Sequence, residues 1–187
     1  KGVQAYLASI SFVDTYVGEL LDGLDKSKYA DNTIIVLWGD HGWHLGEKQH
    51  WRKQALWEDT THVPFIVSYP KTIAENSICE YPVSFIDIFP TLIDLAGIPK
   101  KEDLDGKSLK ELLINPSMKW NRPVLSTYGK GNHAVRSGKW RYIQYRDGSS
   151  ELYDHQNDPN EWYNLSNKEE SQEVIKRLKK VIPVKES

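Results

Sequence analysis

The chain has a single cysteine, Cys79, among its 187 residues, which excludes a disulfide within the chain. Its formal net charge of -2 gives no basic footprint of the kind that binds nucleic acid, although a local basic cluster would suffice for a polyanionic substrate. No apolar run reaches the roughly 20 residues of a membrane span. With 39% hydrophobic and 27% charged residues, the chain is long enough for one globular domain and a small appendage.

The most informative segment begins with an apolar run at residues 34–38, which predicts a strand buried on both faces. The run stops at Gly39, and Asp40 and His41 follow at once. In α/β sheets, functional sites form just beyond the carboxyl ends of strands. A carboxylate and an imidazole on such a turn predict a corner that binds a cation.

The first two thirds of the chain alternate between helical and strand patterns. Apolar residues recur at helical spacing between residues 7 and 24, a second apolar strand is predicted at 63–69, and a helix at 89–96. This alternation predicts an α/β domain, with a mainly parallel sheet flanked by helices, in residues 1–119.

The pattern changes near residue 120. Short runs rich in aromatic and β-branched residues follow, and the pair Asp147-Gly148 predicts a hairpin turn. A final amphipathic helix places Val174, Leu178 and Val181 on one face. We therefore predict a small antiparallel β subdomain with one terminal helix in residues 120–187.

Several long motifs make the chain similar to a known family. Residues 39–47, Gly-Asp-His-Gly-Trp-His-Leu-Gly-Glu, are followed by Trp-Arg-Lys at 51–53 and Thr-His-Val-Pro at 61–64. Together with residues 8–14, 83–99, 151–154 and 157–162, they closely resemble the type I sulfatases of the alkaline phosphatase superfamily, and within them the iduronate-2-sulfatase type. The resemblance covers nearly the whole chain and implies an alkaline-phosphatase-like fold.

The resemblance assigns three residues to the chemistry. It implies that Asp40 and His41 are ligands of a divalent cation, usually Ca²⁺, and that Lys53 binds the sulfate. A fixed ammonium group would stabilise the charge that grows on the sulfate oxygens as the S–O bond breaks. An imidazole ligand also suits Zn²⁺ or Mn²⁺, so His41 alone leaves the metal open. Lys48 is expected to be an ordinary solvated lysine.

The resemblance also implies that part of the active site lies elsewhere. Sulfatases of this type carry a Cys-x-Pro/Ala-x-Arg motif whose cysteine becomes formylglycine, the nucleophile. Cys79 has no arginine four residues further on, so it is not that cysteine. We expect the chain to be the C-terminal portion of a sulfatase, and we expect an upstream N-terminal segment to supply the formylglycine and two further metal-binding aspartates.

Three more residues are candidates for binding substrate. His44 follows the metal-binding motif closely and could contact substrate; a structural role is the alternative. His133 and Arg136 stand on a glycine-flanked turn and strand, where they could bind a carboxylate or a second sulfate of an acidic sugar. Ordinary polarity at a strand edge is the alternative for this pair.

The predicted function is hydrolysis of a sulfate ester, with a sulfated saccharide as the expected substrate. A phosphodiesterase or phosphonate monoester hydrolase of the same superfamily would share Asp40 and His41 but act on phosphorus. A non-catalytic pseudo-sulfatase would keep the fold without the nucleophile. Family resemblance implies a periplasmic, extracellular or lysosomal location.

Overall fold

In the computed structural model, which describes residues 1–184, the chain opens with a long helix, α1 (Gly2–Asp25). The predicted helix is confirmed, but none of its residues is buried. Its apolar side chains include Phe12, 64% exposed, and Leu20, 74% exposed, and they form a wide apolar face. A helix face of this kind is normally packed against a core.

Two strands flank the motif region. β1 (Ile35–Trp38) pairs with β4 (Phe65–Ser68), so both predicted strands are present. The predicted burial of the first strand on both faces is wrong: no residue of β1 is fully buried, and Trp38 is 49% exposed. The pairing is antiparallel, as is every strand pairing within residues 1–184, whereas the alternation of elements predicted a mainly parallel sheet. The connection at 39–64 returns the chain to the end of the sheet that β1 leaves, so β4 must run back. Sheets of α/β proteins often carry such an antiparallel neighbour.

Short elements build the connection between these strands. β2 (His44–Leu45) and β3 (Trp51–Arg52) form a small hairpin, and the single-turn helix α2 (Glu58–Thr61) follows. Residues 53–61 are thus a loop that ends in a helix.

Two further helices follow β4 along the chain, α3 (Ile88–Leu95) and α4 (Lys110–Ile114). The helix predicted at 89–96 is confirmed as α3, and Gly97 follows it with φ +67°, the left-handed conformation common just after a helix. The N–H of Leu109 donates to the hydroxyl of Thr91 at 2.8 Å and joins the start of α4 to α3.

The antiparallel subdomain is confirmed. Its sheet has the strand order β5-β6-β7-β8, and α5 (Gln172–Lys179) covers one face with Ile175 and Leu178 buried. Val135 and Tyr142 of the sheet are completely buried in the core beneath this helix. The strands are β5 (Val124–Thr127), β6 (His133–Ser137), β7 (Trp140–Gln144) and β8 (Ser150–Asp154).

Gly148 occupies the predicted hairpin turn between β7 and β8 with φ +88°. Where the chain divides into domains stays a prediction; the four-stranded sheet itself begins at Val124. Among the helices of residues 1–184, none combines the length and apolar character needed to cross a bilayer.

Candidate active site

The turn after β1 carries Asp40 and His41 and is fixed by its backbone. The N–H of Gly42 donates to the carbonyl oxygen of Thr60 at 3.0 Å. Position 42 has no room for a side chain, because a Cβ atom would lie 1.9 Å from the carbonyl oxygen of Asp59. Glycine is therefore required by this close approach, and the two side chains before it project from a rigid base.

His41 lies between Asp40 and Lys53, so the structure brings together the three residues that the motif singled out. Its Nε2 atom is 3.3 Å from a carboxylate oxygen of Asp40 and 3.1 Å from Nζ of Lys53. Its Nδ1 atom lies 2.9 Å from the carbonyl oxygen of Gly42, which can only accept a hydrogen bond. Since the lysine ammonium can only donate, we assign the proton to Nδ1 and the lone pair to Nε2.

The carboxylate of Asp40 and the imidazole of His41 are suitable ligands for a divalent cation. The side chain of Asp40 is 85% exposed and offers an anionic oxygen, and the Nε2 lone pair of His41 offers a second ligand beside it. The hydrogen bond from Nδ1 to a carbonyl is the usual way in which a ligating imidazole is oriented. Because Ca²⁺ takes about 6–8 ligands, these two side chains would form one side of a metal site shared with other residues.

Lys53 reaches His41 from a loop with an unusual backbone. Its neighbours Arg52 and Gln54 have φ values of +79° and +76°, a region that residues other than glycine rarely adopt. The Lys53 carbonyl lies 3.1 Å from Nε2 of His50. Such strained residues cost about 1–3 kcal/mol each and persist only where the surrounding structure enforces them. Here they direct an exposed ammonium toward the turn that carries Asp40 and His41.

His44, predicted to bind substrate, is completely buried at the start of β2. Its ring packs edge-on against the rings of His50 and Trp57, with centroids 5.1 and 5.7 Å away. Nδ1 lies 3.5 Å from a carboxylate oxygen of Asp59, and within the described residues neither ring nitrogen makes a hydrogen bond. Burial lowers the pKa of His44 and favours the neutral imidazole. Contact with substrate stays a prediction, and it would require access to an enclosed ring.

The other two predicted substrate-binding residues lie on β6. His133 is 3% exposed, and its Nδ1 atom is 2.9 Å from the hydroxyl of Thr127. Arg136 donates to the carboxylate of Glu58 at 3.3 Å, and its Nη2 atom lies 3.1 Å from Nδ1 of His155. The guanidinium group therefore has protein partners, and binding of substrate by either residue stays a prediction.

Arg136 belongs to a buried ion-pair network that sequence reasoning missed. Arg141, 2% exposed, contacts the carboxylate of Glu58 through Nη2 and that of Glu161 through Nε at 2.7 Å. His155 is 2.8 Å from the same Glu161 carboxylate. The network joins α2 to the C-terminal sheet across more than 80 residues of sequence. Its only signal in the sequence is an arginine among the aromatic residues of a predicted strand.

Replacing Glu58 should destabilise the protein in a pH-dependent way. Burial raises the pKa of its carboxyl, but Arg141 and Arg136 outweigh that effect and bring the pKa down to about 2. Its stabilising contribution is therefore complete above about pH 4.5 and disappears as the pH falls toward 2. We expect Glu58→Gln to lower the free energy of unfolding by about 3 kcal/mol at pH 7, because Arg141 keeps a buried charge with one partner fewer. Urea unfolding at pH 7 and pH 3 measures the difference.

A matched control is Asp31→Asn, which removes an exposed pair between Asp31 and Lys71 with side chains 79% and 77% exposed. That change should cost less than about 1 kcal/mol. If Glu58→Gln and Asp31→Asn cost the same, or if the Glu58 effect is undiminished at pH 3, the network does not stabilise the fold as described.

The comparisons with known proteins bear on this site. Residues 1–98 match the family described as Sulfatase. A sulfatase of Formosa agariphila is 43% identical over 183 residues, 98% of this chain and 36% of that protein. A choline-sulfatase of Rhizobium meliloti is 35% identical over 171 residues, 87% of this chain and 33% of that protein. The chain thus spans about a third of the length of these curated relatives.

Solved structures agree with the sequence relatives. One similar structure was determined in complex with its substrate, D-glucosamine-2-N,6-O-disulfate. The match covers 94% of this chain and 38% of that protein's chain, with a TM-score of 0.84 and 30% sequence identity. A phosphonate monoester hydrolase from Silicibacter pomeroyi matches 90% of this chain and 37% of its own with a TM-score of 0.78. At 24% identity, that second likeness shows the fold alone.

The expected alkaline-phosphatase-like fold class is confirmed, and in this chain an Asp-His pair directly follows β1. Within that class, the chain belongs to the sulfatase family.

Proposed function

We propose that this chain is the C-terminal portion of a formylglycine-dependent sulfatase that hydrolyses a sulfate ester of a sulfated saccharide. The observation that carries the proposal is the position of His41, whose Nε2 atom lies within 3.3 Å of both the Asp40 carboxylate and the Lys53 ammonium. The disulfated glucosamine bound by the structural relative supports a saccharide as the substrate class.

In this proposal, Asp40 and His41 hold a divalent cation, and we propose Ca²⁺, with Zn²⁺ or Mn²⁺ as the alternatives. The cation would supply positive charge beside a sulfate oxygen. Lys53 binds the sulfate directly, and its ammonium, which hydrogen-bonds to His41 Nε2 while no cation occupies that atom, lies beside the cation position. Negative charge grows on the sulfate oxygens as the ester bond breaks, and a fixed ammonium stabilises it more in the transition state than in the ground state.

The nucleophile would come from an upstream N-terminal segment. A formylglycine hydrate there would supply the attacking oxygen, together with two further carboxylate ligands for the cation. Cys79 is exposed and lacks the arginine of the modification motif, so we assign it no part in the reaction. The apolar face of α1 provides a surface against which that segment can pack.

A phosphonate monoester hydrolase is the second candidate, because one such enzyme shares the fold. Relatives of 35% identity or more support the sulfatase instead. The complete protein separates the two: a sulfatase should prefer an aryl sulfate to a phenylphosphonate ester by at least about 100-fold in kcat/KM, because a site matched to the charge and geometry of one ester discriminates against the other. The reverse preference would favour the phosphonate reading, and binding of sulfated sugar without turnover would favour a pseudo-sulfatase.

The isolated 187-residue chain should hydrolyse no aryl sulfate above the uncatalysed rate, even with added Ca²⁺. The physical reason is that Asp40, His41 and Lys53 bind and stabilise but cannot attack sulfur. The complete protein, assayed at the same concentration, is the positive control. Turnover by the isolated chain comparable to that of a complete sulfatase would show that the site is not divided in this way.

A further inference from the structure

Lys48 has an environment that its sequence context did not predict. The expectation of a solvated lysine is wrong: its ammonium donates to the hydroxyl of Tyr153 at 3.2 Å and to the carbonyl oxygen of Glu161. The same ammonium lies 5.0 Å from the ring centroid of Trp57 and 4.6 Å from that of Tyr153. Two aromatic faces and a carbonyl dipole replace much of its hydration, which makes this a firmly held cation.

The cage around Lys48 is itself fixed. Trp57 donates through Nε1 to a carboxylate oxygen of Glu151 at 2.7 Å, and the hydroxyl of Tyr153 donates to the same oxygen at 2.9 Å. Tyr153 and Glu161 are 3% and 2% exposed and belong to the C-terminal sheet and the segment after it. Lys48 therefore anchors the hairpin between β2 and β3 to a rigid part of the C-terminal subdomain.

The anchored segment leads directly to Lys53. Lys48 and Gln49 have φ values of +52° and +57°, and positive φ values recur at Arg52 and Gln54, on either side of Lys53. A chain in such conformations relaxes unless contacts hold it. The side chain of Lys48 makes such contacts at one end of the stretch.

We propose that Lys48 is a positioning residue for Lys53: the C-terminal subdomain grips its ammonium and thereby holds the 48–54 loop so that the Lys53 ammonium stays against His41. This inference rests on the proposed sulfatase function for its kinetic test. Lys48 acts through Lys53 and does not touch the reacting atoms.

A double-mutant cycle in the complete enzyme tests this coupling. Lys48→Met keeps most of the side-chain volume and removes the charge, and it should lower kcat about 10-fold or more, since small misplacements of a catalytic group are costly. In a Lys53→Ala background the same change should cost less than about 2-fold further, because the group that it positions is already gone. Equal losses in both backgrounds, or no loss in either, would overturn the proposal.

Two comparisons keep the result specific. Lys71→Met alters an exposed lysine of the same chain and should leave kcat within about 2-fold of the parent. If Lys48→Met does not fold, as judged by thermal melting, Tyr153→Phe removes one hydrogen bond from the Lys48 ammonium while keeping the ring. It should give a smaller loss of kcat that likewise vanishes in the Lys53→Ala background, and additive losses would overturn the proposal.

A measurement without turnover separates this inference from the proposed function. Lysine acylation of the cation-free protein, followed by mass spectrometry, should modify Lys53 at least about 3-fold faster in Lys48→Met than in the parent, since a displaced ammonium loses its hydrogen bond to His41. The rate at Lys71 should not change. An unchanged rate at Lys53 would overturn the positioning role, whereas a faster rate in a protein that hydrolyses no sulfate ester would leave that role standing and contradict the proposed function.

Discussion

Lys53→Ala should lower kcat of the complete sulfatase by about 100- to 1,000-fold, the loss expected when one preorganised electrostatic contact to a developing charge is removed. Lys53 is exposed, and its ammonium lies 3.1 Å from Nε2 of His41, so it is available to a bound sulfate. Its contact strengthens in the transition state, so kcat should fall along with kcat/KM. Steady-state kinetics on an aryl sulfate measures both.

The matched control for Lys53 is Lys71→Ala, because Lys71 is also exposed and its side chain pairs only at the surface with Asp31. It should change kcat by less than about 2-fold. Thermal melting should show both variants folded. If the Lys53 variant keeps parental kcat, the assignment of Lys53 from the motif is wrong, and another cation must contact the sulfate.

Asp40→Ala should reduce cation binding and turnover together. Removing a partner that only orients a ligand costs about 10- to 100-fold in metal affinity, so loss of a direct carboxylate ligand should cost at least that much. Raising the concentration of Ca²⁺ should restore part of the turnover, because the remaining ligands still form a weak site. Elemental analysis of the purified variant, beside kcat at increasing Ca²⁺, measures the two effects.

Asp31→Ala serves as the control for Asp40, since it removes another highly exposed carboxylate that lies outside the motif. Its metal content and kcat should match the parent. Full metal occupancy in the Asp40 variant would mean that this carboxylate only caps the turn after β1.

Local patterns predicted much of this protein. The apolar run at 34–38 and the residues after it placed Asp40 and His41 at the end of a strand, where the structure has them. The short aromatic and β-branched runs after residue 120 predicted an antiparallel sheet and a terminal helix, and both are present. These features depend on neighbours in sequence, whose periodicity and turn chemistry can be read directly.

Features that depend on distant residues could not be predicted in the same way. Glu58 meets Arg141 across 83 positions, and Lys48 meets Glu161 across 113. No periodicity in the sequence links such pairs. The local sequence around a lysine or glutamate is the same whether its side chain is solvated or has buried partners. The antiparallel pairing of β1 with β4 escaped prediction for a related reason, because strand direction depends on the path of the whole connection.

The close approach at Gly42 bears on how an inactive descendant of this protein would look. A side chain at position 42 would collide with the backbone at Asp59. A mutation there would therefore destabilise the fold, whether or not the protein is catalytically active. Asp40, with its side chain 85% exposed, and the exposed Lys53 have little part in packing and would drift once the chemistry was lost. A related chain that keeps only Gly42 would therefore have kept what the fold requires. A chain that also keeps Asp40 and Lys53 would have kept residues that the fold does not require, which indicates selection for the proposed reaction.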